Sequence, residues 1–178
     1  AVVSADPGQP SVGPPACAAM AIREAGSDSW SAPLSRFVGD VSPSGHLLQL
    51  QSGARRLTDE ALARGAELVV VDTPGMVEGE AARVMHLQMI DGLDPDVVVA
   101  VAAARGDVLS PILAPLERRA RPRIHRLQPS EHVAARSPEA RARRRAERFA
   151  ECLAGAEPRE LRMPRHAVPG RVRVGDEP

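Results

Sequence analysis

The sequence contains no lysine, no asparagine and no tyrosine. Without Lys the chain cannot carry a G-x-x-x-x-G-K-[ST] phosphate loop, whose Lys meets the phosphates that its backbone cradles. Without Lys and Asn it cannot build the N-K-x-D motif with which GTPases read their base. All 23 basic residues are Arg and are matched by 23 acidic ones, so a surface-wide electrostatic grip on nucleic acid is not expected, and any such contact should be local. Cys17 and Cys152 lie far apart with no C-x-x-C spacing, and the five histidines are scattered singly, which predicts neither a disulfide framework nor a zinc site. No apolar run approaches the ~20 residues that span a bilayer. The expectation is a soluble, cytoplasmic protein without membrane contact. Because the chain opens at Ala1 inside the apolar run AVV, it reads as a fragment that starts partway through a domain.

A length of 178 residues suits one domain with a real core and is too short for two. Its organising stretch is Glu67–Met76, ELVVVDTPGM. Leu68–Val71 reads as a strand buried on both faces, stopped by Asp72-Thr73-Pro74-Gly75. In open parallel α/β sheets ligands bind at the carboxyl ends of strands, so Asp72 and Thr73 are placed for phosphate or metal chemistry. Two other apolar segments end the same way. Ala1–Ala5 runs into Asp6-Pro7-Gly8-Gln9, and Leu34–Val38 runs into Gly39-Asp40 and Ser42-Pro43. The periodicity of Ala16–Ile22 leaves strand and helix open, Arg23–Ala32 reads as a surface loop, and Trp30 is expected to cap the core edge.

From Leu47 the apolar spacing predicts a helix closed by Gly65, which makes a βαβ unit with the following strand. Glu78–Leu93 is helical in pattern, Asp96–Ala102 is another buried strand, Val108–Leu116 a further helix, and Arg123–Leu127 an edge strand. This alternation is that of a doubly wound α/β layer. The last helix, Arg136–Cys152, has Ser137 as N-cap, Pro138 at its first position and Glu139 in its first turn. It places Arg141, Arg145 and Arg148 on one face, either as a solvated basic stripe or as a phosphate-binding lid. Residues 156–178 read as the start of a C-terminal extension or a loose tail, with Arg171–Val174 as a short strand.

Four pieces, ADPGQPSVGPP, FVGDVSPSGHL, VVVDTPGMVEGEAARVMHLQMIDGLDPDVVVAV and ARSPEARARRRAERF, stand in the order found in the polynucleotide 5′-hydroxyl kinase family, which they closely resemble. That family comprises the kinases of tRNA-splicing, mRNA 3′-end and pre-rRNA processing and their prokaryotic relatives. The resemblance implies an α/β fold, a P-loop-kinase-like parallel sheet with helices on both faces, here incomplete at its N-terminus, with residues 1–155 as a partial kinase domain lacking the Walker A strand and loop. It also implies ATP and Mg²⁺ as cofactors, the 5′-hydroxyl end of RNA or DNA as acceptor, and RNA-processing proteins as partners. Asp6, Gly8 and Gln9 match a D-x-D-x-G-Q motif for metal and base work, except that its first Asp is Ser4. Asp72 would be a supporting metal ligand. Thr73 and Gly75 match a T-x-G-W clasp on the substrate end, with Met76 in place of Trp. Arg141 and Arg145 match an R-x-x-x-R lid, with Arg136 just ahead of it, and His46 is a minor substrate-binding candidate. The departures at Ser4 and Met76 keep a second reading alive, a non-catalytic nucleotide-binding or assembly module.

Overall fold

In the computed structural model residues 1–24, 26–102, 108–133 and 136–157 are described. The Arg171–Val174 strand and nearly all of the proposed C-terminal extension lie outside them. The elements run β1 (Val2–Ser4), β2 (Cys17–Ala21), β3 (Leu34–Phe37), α1 (Leu47–Ala63), β4 (Val70–Asp72), α2 (Gly79–Leu93), β5 (Val97–Val101), α3 (Ser110–Glu117), β6 (Arg123–Leu127) and α4 (Pro138–Leu153). This is the expected α/β alternation.

The strands form a four-stranded sheet in the order β3-β2-β1-β4 and a two-stranded sheet of β5 and β6. β1 pairs parallel with β4, with Ser4 directly across from Asp72, and β5 pairs parallel with β6. β2 is antiparallel to both β1 and β3, so the first sheet is mixed. The reversal leaves β1, β3 and β4 pointing the same way. Their carboxyl ends, carrying Asp6, Asp40 and Asp72, therefore fall on one edge.

α1 is amphipathic, and its buried face of Leu50, Gly53, Ala54, Leu57 and Ala61 packs with Val3, Ala18, Met20, Met85 and Met89 into the main core. A Cβ on Gly53 would meet Ala18 and Arg36 at ordinary contact distance, 3.5 Å. This glycine interrupts propensity without interrupting the helix. The other face of β1 and β2 is covered by the chain between Asp6 and Ala16. Gly13, at φ +76°, lies so close that a Cβ there would stand 2.3 Å from that of Ala19. Covered on both sides, every residue of β2 is buried, and CAAMA accordingly shows no alternation.

β4 is not buried on both faces as its run of valines predicts. Val69 and Val71 pack against the main core, whereas Leu68 and Val70 are exposed. β5 repeats the pattern, with Ala100 buried and Val97, Val99 and Val101 exposed. Trp30 is also exposed, joined to Arg23 by an isolated bridge outside both hydrophobic clusters, so it does not cap the core. Among the described residues no helix is long and apolar enough to cross a membrane.

Candidate functional site

Asp6 ends β1 by folding its own loop. Its Oδ1 accepts from the backbone N–H of Gly8 at 2.8 Å and of Gln9 at 3.0 Å, the side-chain turn that Asp favours after a strand. Gly8 has a separate reason to be Gly, because a Cβ there would stand 2.7 Å from the carbonyl oxygen of Val41. This close approach seats the loop after β1 against the loop after β3. Ser4, where the family motif has its first Asp, is fully buried, and its Oγ accepts from the N–H of Ser11 at 3.0 Å. The residue anchors the covering loop.

The second acid at this level comes from the neighbouring strand. Burial pushes the Asp72 carboxyl above the usual carboxylate range, a hydrogen bond from the Ser11 side chain pulls it back, and the charge of Asp6 adds to the rise. The Asp6 carboxylate thus acts on Asp72 across the edge. Groups of three or more His, Cys, Asp and Glu with metal-binding geometry are absent among the described residues. Mg²⁺ holds several waters and takes one or two carboxylates with substrate phosphates, and Asp6 and Asp72 are the carboxylates at this edge that could hold one.

The loop after β4 has Thr73 and Gly75 exposed, Pro74 buried and Met76 half-buried. A Cβ on Gly75 would meet no atom within 4 Å, which leaves open space beside Thr73. Met76 Sδ lies 4.0 Å from Ser44 Oγ, bringing this loop against the one after β3. Its carbonyl accepts from His86 Nε2 at 2.9 Å, which fixes the tautomer with the proton on Nε2. His86 is a buried residue of α2, and burial holds its imidazole below the ordinary value while the Met76 carbonyl partly opposes the shift. Sequence spacing missed this histidine because its partner is a backbone oxygen. His46 occupies the N-cap position of α1 without a side-chain capping bond, and its imidazole lies over Gly39, where a Cβ would come within 3.0 Å of it. It stays in the loop that touches Met76.

α4 forms as its caps predict. Ser137 Oγ accepts from the N–H of Ala140 at 3.2 Å, Pro138 begins the helix and Glu139 occupies its first turn. It buries no residue fully. Polar contacts hold it across the Asp6 loop instead. Gln9 Nε2 donates to the Gly8 carbonyl at 2.7 Å and to the Arg141 carbonyl at 3.3 Å, while Arg148 Nε donates to the Gly13 carbonyl at 3.2 Å. Between loop and helix lies a cavity of about 330 Å³ lined by Gly8–Ser11, Arg144, Arg145, Glu147, Arg148 and Glu151. The expected lid residues separate here. Arg145 lines the cavity, while Arg141 offers its backbone oxygen and Arg136 is exposed ahead of the helix. Arg144 and Arg148 are the additions.

Asp6, Asp72 and the clasp candidates thus gather at one sheet edge, as three loops in mutual contact, with the cationic helix that carries Arg145 across the first. A family profile described as the P-loop of the mRNA cleavage and polyadenylation factor CLP1 matches residues 1–155. A polyribonucleotide 5′-hydroxyl kinase of Methanocaldococcus jannaschii is 30% identical over 154 residues, covering 85% of this chain and 41% of the relative. One from Pyrococcus furiosus is 32% identical over 120 residues, covering 66% of this chain and 33% of the relative. The chain therefore spans well under half the length of the curated relatives it matches. Among solved structures, Clp1p in a wild-type complex with Pcf11p superposes with a TM-score of 0.63 at 13% identity, over 84% of this chain and 41% of that one. A second Clp1p–Pcf11p structure gives 0.66 at 15%, over 87% and 42%; at these identities the likeness is one of fold. With the profile covering most of its length, the chain belongs to the CLP1 P-loop family.

Proposed function

We propose that the chain is the acid-, clasp- and lid-bearing part of an ATP-dependent polynucleotide kinase that transfers the γ-phosphate of ATP to the 5′-hydroxyl end of RNA, with DNA ends as the competing acceptor. The observation that carries this reading is the convergence at one edge of Asp6 and Asp72, the Thr73–Met76 loop and α4. Phosphoryl transfer requires mainly positioning and charge stabilisation. Here Asp6 or Asp72 would accept the proton of the attacking hydroxyl, Thr73 and Met76 would hold the nucleotide that bears it, and the lid arginines would stabilise the charge on the moving phosphoryl group. Mg²⁺, held by Asp6 and Asp72 with Ser11 beside them, would neutralise phosphate oxygens when bound.

No Lys is available in the chain to complete a phosphate loop, so these 178 residues alone are expected to be inactive. The parent protein, supplied with ATP, Mg²⁺ and a 5′-hydroxyl oligoribonucleotide, should yield a 5′-phosphorylated product. Absence of product with an intact ATP site would sink the reading. Cytoplasmic location and association with RNA-processing proteins belong to the same proposal. The partner chain in the Clp1p–Pcf11p structures supports the latter, and co-purification from fractionated cells tests both.

One observation favours the second reading, a non-catalytic assembly module. Ser4 is buried and spent on Ser11, so the motif's first acid is missing from its strand. ATP binding without turnover by the parent protein would decide for it. Asp72, paired directly across from Ser4, is the reason the catalytic reading stands first.

A further inference from the structure

α4 and the loop after β1 run side by side in the same direction. Gln9 Nε2 donates to the Arg141 carbonyl at 3.3 Å, and Arg148 Nε donates to the Gly13 carbonyl at 3.2 Å, so loop and helix advance together. The next turn of the helix carries Cys152, which lies at i+4 from Arg148 and shares its face. The next stretch of the loop ends where β2 begins, at Cys17. The pleat of β2 agrees with this meeting. Alternate residues of a strand point the same way, so Cys17 shares the side of Ala19, and that is the side covered by Gly13, whose Cβ position lies 2.3 Å from the Ala19 Cβ and 3.2 Å from Ser35 Oγ. Cys17 therefore faces the helix that is tied to Gly13. Its acidity records the same approach, because burial pushes the Cys17 thiol up and the charge of Cys152 adds to the rise. The chain has two cysteines, and both are free, one buried and one exposed.

We propose that Cys17 and Cys152 are a reversible redox pair, joined on oxidation by a disulfide that fastens the last turn of α4 to the start of β2. The oxidant is a low-molecular-weight disulfide such as oxidised glutathione. Cys152, being exposed, reacts first: its thiolate attacks one sulfur, forms a mixed disulfide and expels the other half as a thiolate. Cys17 then gives up its proton to that thiolate, attacks Cys152 Sγ and expels the second half, so two protein thiols become one disulfide while one small disulfide becomes two thiols. Capping Cys152 in the first step removes the charge that opposes ionisation of Cys17, which favours the second. A disulfide needs Cα atoms about 4.4–6.8 Å apart. The final turn of α4 is the part able to settle to that spacing, since its terminal carbonyls lack helical partners and Cys152 and Leu153 are exposed. A covalent tie there would hold α4 against the Asp6 loop more firmly than the hydrogen bonds from Gln9 and Arg148. This pairing goes beyond the phosphotransferase reading and stands whether or not the parent protein phosphorylates RNA ends.

The test is to treat the 178-residue chain with oxidised glutathione and follow intact mass, thiol titration in the unfolded state and hydrogen exchange. The unaltered chain should lose the mass of two hydrogen atoms and both titratable thiols, and exchange in the second half of α4 should slow at least about tenfold, all reversed by dithiothreitol. Cys152→Ala changes an exposed position, so it keeps the fold; it should leave Cys17 titratable and α4 exchange unaffected. Cys17→Ala keeps a small apolar side chain between Ala16 and Ala18 and should stop at the mixed disulfide on Cys152, again without slowing of α4. An unaltered chain that stops at that mixed disulfide, or that links to a second copy through Cys152 with Cys17 still titratable, would overturn the pairing. An internal disulfide that leaves α4 exchange unchanged would overturn the fastening of the helix.

Discussion

α1 and α4 are of similar length, 17 and 16 residues, and are held by opposite means. α1 buries a continuous apolar face, so its attachment scales with area removed from water. α4 buries nothing completely and is tied down by hydrogen bonds from Gln9 and Arg148 to backbone carbonyls, each worth about 1 kcal/mol or somewhat more for the charged donor. The proposed lid is thus held by a few exchangeable contacts on a body fixed by packing. Segments that move are drawn from the least buried parts of a fold.

Breaking the body should give the largest effect. Leu57→Ala removes a fully buried side chain of α1 and should cost about 2–5 kcal/mol, read as a lower urea midpoint for the whole chain. Gly13→Ala should strike both regions. The positive φ costs about 1–2 kcal/mol, and the added Cβ collides with Ala19 while displacing the carbonyl that accepts from Arg148. Loss of stability together with faster exchange in α4 is the expected pair of results; unchanged exchange would show that the lid does not depend on this carbonyl. Ser137→Ala should touch the lid alone, costing about 1 kcal/mol of helix stability as fraying at the start of α4 with no shift in the global urea midpoint.

The smallest expected effect concerns pH. Because the folded state lowers the His86 pKa, the native form binds fewer protons there than the unfolded chain. Its contribution to stability is complete above the unfolded value of about 6.5 and is lost as pH falls toward the folded one. Acidification from neutral pH should therefore lower the urea midpoint and loosen the Met76 loop. His86→Gln should flatten that dependence, and an unflattened profile would assign it to other groups.

Much of this was legible in the sequence because it is encoded locally. The cap of α4 lies in three consecutive residues, Ser137, Pro138 and Glu139, and the acid-ended strands are marked by Asp-Pro-Gly and Asp-Thr-Pro-Gly. What could not be read depends on distant chain. The strand state of Cys17–Ala21 is hidden because the loop before it covers one face and α1 the other, which erases alternation. The valines of β4 and β5 look doubly buried because a sequence does not show what lies opposite a strand. Arg144 was passed over because spacing selects Arg141 and Arg145, whereas the seating of the helix is decided by Gln9, 132 positions away.

The exposed valines also bear on how the polypeptide survives its own synthesis. β4 ends one sheet and β5 belongs to another, and among the described residues each has one backbone edge without a strand partner beside exposed apolar side chains, the arrangement that recruits a foreign strand most readily. Concentrated copies of this chain are expected to meet each other through those edges. Yield on refolding should therefore fall with protein concentration. Charged replacements at Val70 and Val99 should restore it without touching a single residue of the cleft.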